Sequence, residues 1–187
     1  MQTTTLTSRK TKWVLDPAHS ELGFKVRHMM ISNVKGEFRR FKADVTTVRD
    51  DPSTATVHAE IDPDSIFTND ESRDKHLRSE DFFDVKAHEK IIFEGASMQK
   101  SGDDHFELRG ILTMKGISKE IKLDVDFGGI NKDPSGNEKA GFTIYGKLNR
   151  KDWGLNWNVL LETGGVLVSD EIKIHGDLQF LRKSDDY

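Results

Sequence analysis

Along most of the chain, apolar residues fall on every second position. Leu22, Phe24, Val26 and His28 share one parity, against Glu21, Lys25 and Arg27 on the other. Such alternation marks a strand with one dry face, because successive side chains point to opposite sides. The pattern returns at Val34, Gly36 and Phe38, then changes parity at Phe41, Ala43 and Val45. One extra residue at Arg39 and Arg40, a β-bulge, reconciles the two halves. Further alternating runs cover 55–61, 91–95, 106–114, 121–127, 140–148 and 172–180. Eight amphipathic strands at this spacing predict an antiparallel sandwich or a closed barrel. Closure removes exposed edges, and an up-and-down order needs only hairpin connections.

Two segments break the rhythm. TNDESRDKHLRSEDFFD, at 68–84, opens on Thr68 with Glu71 three positions later, a capping-box pattern that would set Asp70 and Glu71 in the first turn. A short helix is expected over roughly 69–79. WGLNWNVLLETGGVL, at 153–167, is strongly apolar and ends near a glycine pair. It is too polar-punctuated for a helix and too long for a tight turn. A loop this apolar is expected to cover something. Trp153, Trp157, Leu160 and Leu161 are therefore read as a flap over one barrel mouth or as a homodimer surface.

Composition narrows the class. With 187 residues, 35% hydrophobic and 32% charged, the chain is most simply one domain with a well-charged surface. A formal charge of −4, from 28 basic and 32 acidic residues, argues against an electrostatic nucleic-acid binder. No apolar run approaches the roughly 20 residues of a transmembrane helix. Residues 1–12 are polar and Thr-rich and are expected to be a flexible tail ahead of a single domain over 13–183. They contain no apolar h-region. With Met1 as the start, the chain is expected in the cytoplasm; a leader removed upstream would place it in the periplasm. The absence of Cys excludes disulfides, thiolate catalysis and Cys-ligated metals.

An eight-stranded barrel stands at the size where side chains fill it or one small ligand does. The inward set is Leu22, Phe24, Val26, Phe38, Phe93, Leu112, Met114, Leu123, Val125, Phe142, Ile144, Leu148, Ile172 and Ile174. Gly36, Gly95, Gly110, Gly146 and Gly176 are interleaved with them, and mark either curvature or open space. Alternation alone does not separate a full barrel from a hollow one.

DPAHS at 16–20, His28, GEF at 36–38, SIFT at 65–68, RDKHL at 73–77 and DFFD at 81–84 come in one order. GILTMKG at 110–116, RKDWG at 150–154 and VSDEIKI at 168–174 follow. Together, from about Trp13 to Phe180, they resemble the YceI-like family of polyisoprenoid-binding proteins. The resemblance implies an all-β, eight-stranded, lipocalin-like antiparallel barrel with one short helix at its side. It also implies an apolar tunnel, lined by the inward set, for a long isoprenoid or similar amphiphile such as a quinone or prenyl phosphate. No cofactor is implied, and the function is carriage, storage or sequestration without catalysis. Two alternatives are an enzyme acting on a lipid in the same cavity, and a filled barrel serving as a dimerisation or interaction module.

Three polar residues are head-group candidates. His28 shares the inward parity; the competing reading is a strand-end histidine bonded to backbone, Asp16 or Ser20. Arg150 has the parity of Leu148 and would grip a phosphate bidentately, or else pair with Asp74, Asp152 or another carboxylate. Arg73, beside Asp74 on the expected helix, contacts a ligand or fixes the helix's loop. Asp16, His19 and Ser20 lie too close in sequence for a catalytic triad and read as a turn. His58, His105 and His175 fall on outward parities, and no metal-ligand spacing appears.

Overall fold

The computed structural model describes residues 9–183. Its strands are β1 (Lys10–Leu15), β2 (Glu21–His28), β3 (Ser32–Phe38), β4 (Phe41–Val48), β5 (Asp51–Ile61), β6 (Ile66–Phe67), β7 (Ile91–Lys100), β8 (His105–Met114), β9 (Ile117–Lys132), β10 (Glu138–Asn149) and β11 (Val168–Arg182). One α-helix, α1 (Glu71–Arg78), is present among the described residues. Antiparallel pairing runs β1-β4-β5-β7-β8-β9-β10-β11 and returns to β1 through Trp13↔Arg182, Val14↔Leu181 and Leu15↔Phe180. The result is a closed eight-stranded barrel, one of the two architectures the alternation allows and the one the family resemblance implies.

β2 and β3 prolong staves already in the ring. β1 and β2 run along the same partner, β11, separated by a 3-10 turn at Pro17–His19. Asp16 holds that turn. Its carboxylate accepts from the Ala18 amide and contacts His19 Nδ1 at 2.9 Å and Lys139 Nζ at 3.1 Å. The His19 contact, followed by Lys139, keeps the Asp16 carboxyl below its ordinary pKa against the effect of burial. DPAHS is thus the expected turn. β3 continues into β4 through Arg39 and Arg40, whose amides donate to Ser65 O and Ser65 Oγ. The parity change falls where the hydrophobic pattern required it.

The chain enters the sheet earlier than expected. Residues 1–8 of the expected tail lie outside the described residues, but Lys10, Thr11 and Lys12 belong to β1, paired with Val48, Thr47 and Thr46. Trp13 and Leu15 anchor β1 in the core, and Trp13 Nε1 donates to Thr47 Oγ1 at 3.2 Å. Two inward residues make too short a run for periodicity to register.

The connection 62–90 leaves the ring. β5 ends and β7 begins opposite one another, at Ile61↔Ile91, while β6 pairs with the end of β3. α1 follows and brings Leu77, Phe82 and Phe83 against the barrel interior. Its cap differs from the expected box. Asp70, not Thr68, accepts from the Arg73 amide at 2.9 Å. Thr68 points to Asp74 instead, donating its amide and hydroxyl to Oδ1, and accepts from Arg73 through its own hydroxyl and carbonyl. An eight-residue helix is marginal alone; this clasp and the apolar contacts hold it.

The barrel wall also depends on a close approach at Gly110. A Cβ there would lie 2.5 Å from the Glu94 carbonyl oxygen and 2.6 Å from Phe93 Cζ. The carbonyl is backbone of the neighbouring strand and cannot yield without disturbing the β7–β8 ladder. Gly110→Ala is therefore expected to cost about 1–3 kcal/mol. Urea unfolding checks this as a lowered midpoint at unchanged slope.

Candidate functional site: an apolar cavity in the barrel

The barrel is hollow. A cavity of about 260 Å³ runs through it, and all of the inward residues named from the sequence line it. Its walls are unequal. On β7, β8 and β9, Phe93, Leu108, Leu112, Ile121, Leu123 and Val125 are buried and pack densely. On β2, β10 and β11, Phe24, Val26, Ile144, Leu148, Ile172 and Ile174 are only half-buried although they face inward. The open part of the lumen lies against this second wall.

Glycine makes that space. A Cβ on Gly36 would lie 2.2 Å from Phe24 Cζ, so the Phe24 ring rests flat across the neighbouring strand. Lying there, it does not reach for the barrel axis. Phe38 adjoins it, with ring centroids 5.7 Å apart, and meets Phe83 of the helical connection edge-on at 5.8 Å. The interleaved glycines therefore accommodate side chains from adjacent strands, a reading intermediate between curvature and void.

The segment after β10 spans one barrel end. It opens with a 3-10 turn, Arg150–Trp153, closed by Gly154 in the left-handed region. Trp153 is 2% exposed, lines the cavity, and donates Nε1 to the Leu112 carbonyl at 3.0 Å. It is a plug more than a flap. Trp157 does not line the cavity; it stacks edge-on against His76 at 4.6 Å and tilts against Phe82 at 5.4 Å. His76 in turn contacts Asp81 at 2.8 Å, so an aromatic latch joins the loop to α1. Leu160 corrects the flap reading. It is 82% exposed, on a loop turned by Gly164 and Gly165 at positive φ, and covers nothing in the monomer.

Of the head-group candidates, Arg150 lines the cavity but is committed to backbone. It is 3% exposed; Nε donates to Ser169 O, Nη1 to Leu155 O and Trp157 O, and Nη2 to Val168 O. Asp170, not Asp74 or Asp152, stands 3.9 Å from Nη2. Burial lowers the Arg150 pKa from its usual value, and Asp170 works against that shift. The guanidinium sews the loop to β11, which leaves little of it for a phosphate. Arg73 is spent on Thr68 and does not line the cavity. His28 stands at the end of β2, opposite Val168 and Ser32, half-buried. Its ring has no hydrogen-bond partner among the described residues; Asp16 and Ser20 lie beside Gln179, at the other end of β11. His58 and His105 pair with surface carboxylates. No cluster of three or more potential metal ligands occurs among the described residues.

A closed antiparallel barrel with a carbon-lined lumen and a helix let into its side is a lipocalin-like architecture. Residues 13–180 match the YceI-like domain, and the chain belongs to the YceI-like family. A UPF0312 protein of Staphylococcus aureus (strain N315) is 40% identical over 171 residues, 91% of this chain and 97% of that protein. The YceI protein of Campylobacter jejuni, a solved structure, superposes with a TM-score of 0.72 at 31% identity, covering 98% of this chain and 100% of that one. A polyisoprenoid binding domain from Saccharophagus degradans shares the fold, with a TM-score of 0.64 at 13% identity over 91% of this chain and 98% of that one.

Two substitutions test the site. Gly36→Ala lifts the free end of the Phe24 ring into the lumen. It is expected to keep the fold by circular dichroism while weakening uptake of an apolar fluorescent probe several-fold. Arg150→Met removes the donor to the buried Leu155 carbonyl and to the partly buried Trp157 and Ser169 carbonyls, while Val168 O keeps Asn158 Nδ2, and is expected to cost about 2–4 kcal/mol in urea unfolding.

Proposed function

We propose that this protein binds a single long-chain isoprenoid, or a similar amphiphile such as a quinone or prenyl phosphate, in the barrel cavity for carriage, storage or sequestration. The observation that carries this reading is the lining. Among its residues the only ionisable side chain is Arg150, and that one is occupied by backbone carbonyls. A dry, carbon-lined space selects for hydrocarbon. Each buried methylene contributes roughly 0.8 kcal/mol, so a long tail sustains binding even after the losses of immobilisation. The cavity volume of about 260 Å³ lies near the lower edge of the ~300–1,000 Å³ typical of ligand pockets, which suits one slender chain. Membership of the YceI-like family supports the reading, and so does the polyisoprenoid binding described for a domain that shares the fold.

Binding is favoured over catalysis. The lining offers no nucleophile and no general base. Our candidate for meeting a polar head group is His28, which lies outside the cavity lining but follows Val26 of that lining at the end of β2 and has a ring free of hydrogen-bond partners among the described residues.

Native mass spectrometry of freshly purified protein, followed by solvent extraction, tests the proposal. A stoichiometric adduct of isoprenoid or quinone mass is expected, and Phe24→Asp, if still folded, should abolish it. A protein that stays free of adduct, and takes up neither quinones nor prenyl phosphates when these are offered, would sink the reading.

A further inference from the structure

Large apolar side chains are exposed together at one end of the molecule. Met29, Met30 and Ile31, in the β2–β3 turn, are 43%, 54% and 75% exposed, and Val159 and Leu160 are 46% and 82% exposed. The two loops are joined: the Met29 amide donates to Leu167 O at 2.9 Å, and Met30 lies beside Gly165. Met29 and Met30 both adopt positive φ, at 50° and 63°. In this three-residue connection, closed by the Ile31 amide donating to His28 O at 3.2 Å, both central positions of the turn are left-handed, where Asn-Gly is favoured. Methionine at both places carries a conformational cost while leaving about half of each side chain exposed.

A second feature emerges from the strand register. Lys147 pairs with Lys173, Lys173 with Lys25, and Lys25 with Lys35. Four lysines therefore stand side by side on the outer surface of β10, β11, β2 and β3, on strands about 4.8 Å apart. None of them forms an ion pair among the described residues. Arg27 extends the basic face toward the turn, donating to Met30 O at 3.1 Å. Nearby acids are Glu171, Asp124, which stands opposite Tyr145 and diagonal to Lys147, and Glu37, which is bound by Arg39. Like charges placed directly opposite one another destabilise a sheet, and in a chain of net charge −4 this row is no general surplus of cations.

From these two observations we infer that the β10–β11–β2–β3 face, led by the Met29–Ile31 turn, docks the protein on an anionic lipid bilayer. The apolar tip enters the headgroup boundary, and the lysines, about 13 Å behind it along β2, meet lipid phosphates. A nucleic acid would have no use for the apolar tip. A second copy docking by the same patch would bring one lysine row toward another. The inner side of these strands is the open wall of the cavity, and Val26 and Val168 carry its lining toward the tip. Docking itself does not depend on cavity content; exchange of cargo with the bilayer rests on the function proposed above.

Co-sedimentation of delipidated full-length protein with vesicles tests docking separately from loading. Vesicles of phosphatidylcholine with about one third phosphatidylglycerol should bind at least about ten-fold better than phosphatidylcholine alone, and added salt should weaken the binding. The double variant Lys25→Glu/Lys35→Glu, and separately Ile31→Asp/Leu160→Asp, should each lower it about ten-fold. Both pairs are at the surface, and unchanged thermal unfolding confirms intact folds. Lys132→Glu, a single charge reversal at the opposite barrel end, should leave binding unchanged. Equal binding to both vesicle types, an equal loss with Lys132→Glu, or unaltered binding by the two double variants would overturn the inference. So would a vesicle-inert dimer that Leu160→Asp dissociates. Docking by a protein that never loads lipid would leave this inference standing and remove the proposed function.

Discussion

Eight strands enclose so little space that ordinary inward side chains are enough to fill it. A lumen survives only where the large residues stay off the axis, and here neighbouring strands provide seats for them. Phe24 rests over Gly36, Phe93 over Gly110, and Leu123 against Gly146. Each glycine gives up its own packing so that a larger group next to it can lie flat. The cost is shared unequally, because the β7–β9 wall is packed solid while the β2, β10 and β11 wall faces open space. What remains is a cavity lined almost wholly by carbon, which offers water few partners and hydrocarbon many.

A closed ring has no entrance of its own, so the irregular parts matter. Where the 62–90 connection and the 150–167 loop replace strand, backbone polar groups lose their ladder partners and need others. Thr68, Asp74 and Arg73 serve each other in the first case. In the second, one guanidinium serves four carbonyls. Lysine could not replace it, having three donors at a single point where arginine has five in a planar fork. A buried cation is normally expensive; donating in several directions, with Asp170 nearby, Arg150 is tolerated and the loop is held.

Much of the architecture was legible in the alternation. Most staves, the parity change at Arg39 and Arg40 and the whole inward set follow from period-2 patterning, which the closed sheet enforces, and the helix between β5 and β7 shows as a capping signal where that pattern breaks. Hollowness was not legible, since a glycine reads the same whether its neighbour covers it or leaves it open. The helix cap was misplaced because Thr68 and Asp70 both fit the local signal, and only the tertiary position of Asp74 decides between them. Arg150 looked available for a ligand because its carbonyl partners, at Leu155, Trp157, Val168 and Ser169, lie on a loop without periodicity. Leu160 looked like a cover because hydrophobicity carries no direction outside a regular element.

The lysine row was invisible for a different reason. Its members lie far apart in sequence, at 25, 35, 147 and 173, and each is an ordinary polar residue within its own strand. Only the pairing register aligns them. That same register turns Phe24, Val26, Ile144, Leu148, Ile172 and Ile174 inward. A slip by one residue would exchange the two faces, carrying lysines into the lumen and the lining out to water. The burial of an apolar wall thus fixes the placement of a basic one. The strands with the less densely packed interior also carry the lysine row outside, so the cavity and the basic surface are two sides of a single strand alignment.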